Sequence, residues 1–316
     1  MSQMTFADLE YAGKKRKTQK ERLLEKLSVT IPWDTLESLV GNYYYVGSQT
    51  GRKPYPLASM LKIHVMQVIY NLSDPGMEDH LYDIECMRRF AGLTMDRIPD
   101  ETTILNFRHL LETHGLGKKL FATINDFLAT RGLLLKEGTI MDATLISAPT
   151  STKNKQKARD PEMHSTKKGN QWYFGMKLHI GVDDVHGVIH SIETTSAEVH
   201  DIVVADRLLH GEERRGWGDA GYTGIAQREE HAGTDIQWQI SLRPGKRREH
   251  AKGSWVDVSE KLKAGVRAKV EHSFLYIKKH FGYSKVRYRG LAKNTNRLYL
   301  LAGIANLFRT KKYWVA

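Results

Sequence analysis

Apolar residues recur every three to four positions across residues 56–128, and from residue 138 onward they gather into short runs of strand length. In the first stretch Leu57, Met60, Leu61, His64, Val65 and Val68 keep a 3.6-residue period and predict a helix. A second helix is expected from Leu81, Ile84, Phe90 and Leu93, after the turn Ser73-Asp74-Pro75-Gly76. A third begins after Pro99-Asp100, with Asp100 as its N-cap and Ile104, Phe107, Leu110 and Leu111 on its inner face. The connection 92–99 is too long for a tight helix-turn-helix, so a plain helical bundle is the expectation.

Beyond residue 138 strands are predicted over 139–148, 172–182 and 188–195, the last two joined by the turn Asp183-Asp184-Val185-His186-Gly187. A helix at about 201–209 follows, then a strand running into Asp219 and another over 236–242. A long helix comes next, with Val266, Val270, Phe274, Ile277 and Phe281 as its apolar stripe. Three regions follow from this texture: an N-terminal arm (1–30), a helical domain (31–132) and an α/β domain (133–316).

Composition adds a partner. The 316 residues are 41% hydrophobic, enough for a sizeable core, and carry a formal charge of +12. Such a balance points to a polyanion. No apolar run reaches the roughly 18 residues of a membrane span, and the first residues lack a signal-peptide layout. Nucleic acid is therefore the expected partner and the cytoplasm the expected compartment, with nucleoid association on DNA. The single cysteine, Cys86, excludes an intrachain disulfide and an all-cysteine metal site. The arm concentrates Lys14, Lys15, Arg16 and Lys17, followed by Lys20, Arg22 and Lys26. Two basic loops follow, one with Lys153, Lys155, Lys167 and Lys168 and one with Arg247 and Arg248, and then the strip Arg287 and Arg289. All are assigned to phosphate contact. Asn106 and Arg108, on the outer face of the third helix, are the expected readers of base sequence.

Three carboxylates carry the candidate chemistry. Asp142 lies in the first strand, Asp219 ends a later strand before a glycine turn, and Glu271 sits on the long helix. An all-oxygen trio suits hard divalent cations. At about 100° per residue, Arg267, Glu271 and Lys278 fall within roughly 40° of one another, along the border of the apolar stripe. By itself Arg267–Glu271 also reads as a solvated i,i+4 pair. His179, His186, His190 and His200 lack the compact spacing of a zinc site. A nucleotide-binding phosphate loop and a Gly-x-Ser-x-Gly turn are both absent from the sequence, so no nucleotide cofactor is expected.

Met141-Asp142-Ala143-Thr144, Asp219-Ala220-Gly221-Tyr222 and Arg267-x3-Glu271-x6-Lys278 together resemble bacterial insertion-sequence transposases of the DDE type, most closely the insertion sequence five (InsH-like) family. The likeness extends to residues 195–201, 289–294 and 54–112, about four-fifths of the chain. It implies a ribonuclease-H-like α/β catalytic domain, a mixed sheet flanked by helices, with an N-terminal all-α domain. In that fold the first and fourth strands are neighbours, which would bring Asp142 and Asp219 together. It further implies two Mg²⁺ ions (Mn²⁺ as a substitute) on Asp142, Asp219 and Glu271, with Lys278 and Arg267 holding terminal phosphates. The implied partners are double-stranded DNA, as element ends and target, and a second copy of the chain. One departure is Ala264, where the wider group often has a tyrosine three residues before the arginine. A nuclease of the same fold that cuts without joining, or a catalytically silent DNA-binding derivative, are the alternative readings.

Overall fold

The computed structural model describes residues 11, 13–44 and 53–313. Of the basic arm, residues 1–10 and Ala12 lie outside the described residues. Its remainder is not all arm. Gln19–Thr30 forms helix α1, started by a capping box in which Thr18 and Glu21 exchange hydrogen bonds. Leu24 and Leu27 of α1 are buried.

Six more helices follow: α2 (Trp33–Gly41), α3 (Leu57–Ile69), α4 (Asp74–Asp83), α5 (Glu85–Ala91), α6 (Glu101–Thr113) and α7 (Leu116–Ala129). The single helix expected around residue 84 is two, because Ile84 leaves helical geometry (φ −114°, ψ 100°). Ser73 and Asp100 cap α4 and α6 through their side chains, accepting from Gly76 N and Thr103 N.

The sheet has six strands: β1 (Gly138–Ser147), β2 (His164–Lys168), β3 (Gln171–Asp183), β4 (Ile189–Ser196), β5 (Arg215–Gly218) and β6 (Gln237–Ile240). Their order is β2-β3-β1-β5-β6, with β4 also on β3. β1 runs antiparallel to β3 but parallel to β5, and β5 parallel to β6. β1 and β5, the first and fourth of the strands expected from the sequence, are thus neighbours, as a ribonuclease-H-like fold requires. β2 lies where the sequence predicts only a basic loop; its mostly exposed polar residues carry no apolar signal, and pairing with β3 makes it a strand. The helix expected at 201–209 is a 3-10 stretch, Asp201–Leu208.

Two layers cover the sheet. On one face Met141, Ala205, Leu208, Tyr222 and Ile225 form a small core under the 3-10 stretch. On the other, α9 (Trp255–Leu275) and α10 (Leu291–Thr310), which follow the short α8 (Pro244–Arg248), pack with the N-terminal helices into one continuous core. α10 joins the parts. Arg297 donates to the carbonyls of Gln67 and Val68 at the end of α3, and Asn306 reaches both Asn125 of α7 and Ile189 of β4. A helix buried nearly all round shows no amphipathic stripe, so the sequence reading gave this stretch no element. None of the helices is long and apolar enough to cross a membrane among the described residues.

Candidate active site

β1 and β5 converge on the site. Their parallel register pairs Thr139 with Gly216 and Ile140 with Trp217, so two residues further along each strand stand Asp142 and Asp219. Asp142 accepts a hydrogen bond from Ala143 N (2.8 Å), and Asp219 accepts one from Gly221 N (2.8 Å), which shapes the turn after β5. Gly218, just before that turn, must lack a side chain: a Cβ there would lie 2.9 Å from the Tyr222 ring.

Both aspartates line a cavity of about 240 Å³ together with Thr144, Lys168, Lys177 and Asp201. Burial pushes the Asp142 carboxyl up to about 6; Asp219 and Asp201 push the same way, while Ala143 N and Arg267 oppose them. Asp201 had no place in the sequence-derived site. It pairs with Lys177 (2.9 Å), and the only signal for it was its position in the Glu198-Val199-His200-Asp201 stretch.

The long helix supplies the rest, unevenly. Lys278 does not continue the α-helix but sits in a π-helical turn, Tyr276–His280. Its Nζ donates to Thr144 Oγ1 (3.1 Å) and Leu145 O (3.0 Å), directly beyond Asp142 on β1. Burial, with Lys168 and Lys279 nearby, lowers its pKa. Arg267 donates to Ser241 Oγ (3.3 Å), just past β6, and its charge reaches Asp142. It makes no ion pair with Glu271 among the described residues, although the spacing allows one. Glu271 is exposed on α9 and is not part of the cavity wall. Among the described residues no three His, Cys, Asp or Glu side chains gather closely enough to hold a metal ion. The structure therefore brings together Asp142, Asp219, Lys278 and, through its field, Arg267, and leaves Glu271 outside.

Residues 134–307, more than half of the chain, match the family described as Transposase DDE domain, and residues 12–110 match Transposase domain (DUF772). The chain belongs to the DDE transposases. No solved structure matches it. The transposase's two matched segments cover the helical region and the α/β region in turn, including Asp142, Asp219, Glu271 and Lys278 in the second.

The residues assigned to DNA contact divide in the structure. Lys15, Arg16, Asn106, Lys153, Lys155, Lys167, Lys168 and Arg248 are exposed. Lys14 and Lys17 are held by Glu21 (2.8 Å) and Glu25 (2.6 Å), and Arg247 by Asp257 (3.3 Å). Arg287 is tied to Asn71 across the boundary with the helices, and Arg289 to Arg159 O (3.4 Å). Arg108 is a correction. It is 6% exposed and bridges Asp74 (2.9 Å) and Glu112 (2.8 Å), so it cannot reach a base. The helical wheel put Arg108 outside; the neighbouring α4 covers that side of α6 and supplies Asp74.

Proposed function

We propose that this transposase, of the insertion sequence five type, binds the terminal inverted repeats of its element, cleaves at the element ends and joins the 3′ ends to target DNA. The observation that carries this reading is the meeting of Asp142, within β1, and Asp219, just past the end of the adjacent parallel strand β5, with the Lys278 ammonium held on Thr144 and Leu145 of β1. A phosphodiester entering there meets carboxylates on one side and cations (Lys278, Lys168) on the other.

The donor set fits a hard divalent ion. It consists of oxygens, and the Asp142 carboxyl, raised first by burial and then by Asp219 and Asp201, is one whose charged form a cation would favour. Asp142 and Asp219 would hold Mg²⁺, or Mn²⁺ in its place, and Glu271 is assigned to complete the set. Its side chain is exposed and has no hydrogen bond or ion pair among the described residues, so it is free to turn toward the cavity. Two ions bound there would supply an activated water or 3′-hydroxyl and a stabilised leaving oxygen for in-line displacement. The chain's own groups do the remaining work. Lys278 holds a phosphate oxygen beside Asp142, Arg267 moderates the charge on Asp142, and exposed Lys167 and Lys168 track the backbone at the rim. The helical region selects the ends, Asn106 contributes to base readout, and two copies pair two ends; on DNA the protein is part of the nucleoid.

The test is cleavage and strand transfer on end duplexes in Mg²⁺. Asp142→Ala, Asp219→Ala and Glu271→Ala should each lose both activities while end binding persists. Near wild-type cleavage in any one of them removes that residue from the assignment.

A further inference from the structure

The Tyr222 hydroxyl is fully buried and has no hydrogen-bond partner among the described residues. A buried hydroxyl without a hydrogen bond is destabilising, so the position calls for an acceptor. The charges that bear on this hydroxyl are those of Asp201, Asp142 and Asp219, with Arg267 opposing them. Burial first, and then those carboxylates, hold its pKa well above the ordinary tyrosine value, so it stays an O–H donor at any working pH.

Asp201 is the third carboxylate of the cavity wall. Its Oδ1 takes the Lys177 ammonium (2.9 Å), while Oδ2 has no partner among the described residues. His179, also fully buried, brings an unpartnered Nδ1 to 3.8 Å from the same Oδ1. Asp201 and Tyr222 come from different elements, the start of the 3-10 stretch and the turn after β5, and neither has a role in the reading above.

We propose that Asp201 and Tyr222 form an outer layer of the cation site, Asp201 accepting hydrogen bonds from waters of a divalent ion and Tyr222 donating to a carboxylate that holds it. This rests on the assignment of Asp142 and Asp219 as the ion's ligands. The layer gives a use to the second oxygen of a cavity-lining carboxylate whose first oxygen is already taken by Lys177. It also gives the Tyr222 hydroxyl a partner that is oriented only once an ion is bound. Ligating carboxylates need such support to hold one geometry.

The experiment titrates the full-length protein with Mn²⁺ in the absence of DNA, followed by water-proton relaxation, with thermal unfolding recorded for each variant. Asp201→Asn should weaken Mn²⁺ binding about tenfold, the usual scale for an outer-layer group. Tyr222→Phe, which removes one oxygen, should weaken it about threefold, the worth of a single hydrogen bond. Lys177→Met breaks the same ion pair but keeps the Asp201 carboxylate, and should bind Mn²⁺ as well as wild type or more tightly. Equal losses in Asp201→Asn and Lys177→Met would make the role structural and overturn the proposal. Should Asp201→Asn fail to fold, wild-type affinity in Tyr222→Phe overturns it alone. Asp142→Ala and Asp219→Ala separate the two levels. If both retain Mn²⁺, the underlying site is misassigned; if both lose it while Asp201→Asn does not, only the outer layer falls.

Discussion

Burial decides what Asp142 and Arg108 can do. The Asp142 carboxyl titrates near 6, above the roughly 3.9 of an unfolded chain. Between those values the folded state binds more protons, so stability falls as pH rises through the window and stays low above it. In chelator at pH 8, Asp142→Asn should therefore melt a few degrees above wild type. The full two-unit shift is worth about 3 kcal/mol, reduced because the side chain is only partly buried. Near pH 4 the gain should vanish, and a lower melting temperature at pH 8 would show that Asp142 carries no such penalty. Arg108 is the opposite case, since its charge is compensated by Asp74 and Glu112. Arg108→Ala leaves both carboxylates unpaired and should cost about 3 kcal/mol in denaturant unfolding. A stable variant with altered end preference would restore it as a base reader.

The helix that carries Arg267 and Glu271 was legible as an element, and its apolar stripe is observed: Val270, Ile277 and Phe281 are buried. Its ending was not. The π-helical turn adds a residue per turn, so wheel arithmetic from Glu271 no longer places Lys278. What places it is β1, through Thr144 and Leu145. Lys278→Ala should then slow cleavage while leaving Mn²⁺ affinity close to wild type, because Lys278 faces phosphate and not the ion. A loss of Mn²⁺ affinity matching that of Asp142→Ala would place Lys278 in the support of the metal site instead.

At the scale of the molecule, the division near residues 132–138 is a division of texture more than of packing. α7 lies against α10, Gly117 N donates to Asn296 Oδ1 (2.9 Å), and one hydrophobic core runs from Leu24 to Leu307. A fragment ending near Thr130 would expose Leu120, Ile124 and Leu128, which are buried in the whole chain. Such a fragment should show no cooperative thermal transition, and end selection is therefore best measured on the intact protein. A sharp transition in the isolated fragment would show that the helical region folds alone.

By itself the sequence determined the helical and strand regions, the cap at Asp100, the basic balance and the positions of the acidic residues. These are local properties: periodicity, turn chemistry and charge are carried by neighbours in the chain. Tertiary structure alone decided that Arg108 is inside, that Glu271 is exposed and outside the cavity wall shared by Asp142 and Asp219, that Asp201 joins that wall, and that Tyr222 is buried within reach of its charges. Each of those depends on a partner distant in sequence, α4, β1 or β5, and no window of residues contains the desolvation or the pairing that such a partner imposes.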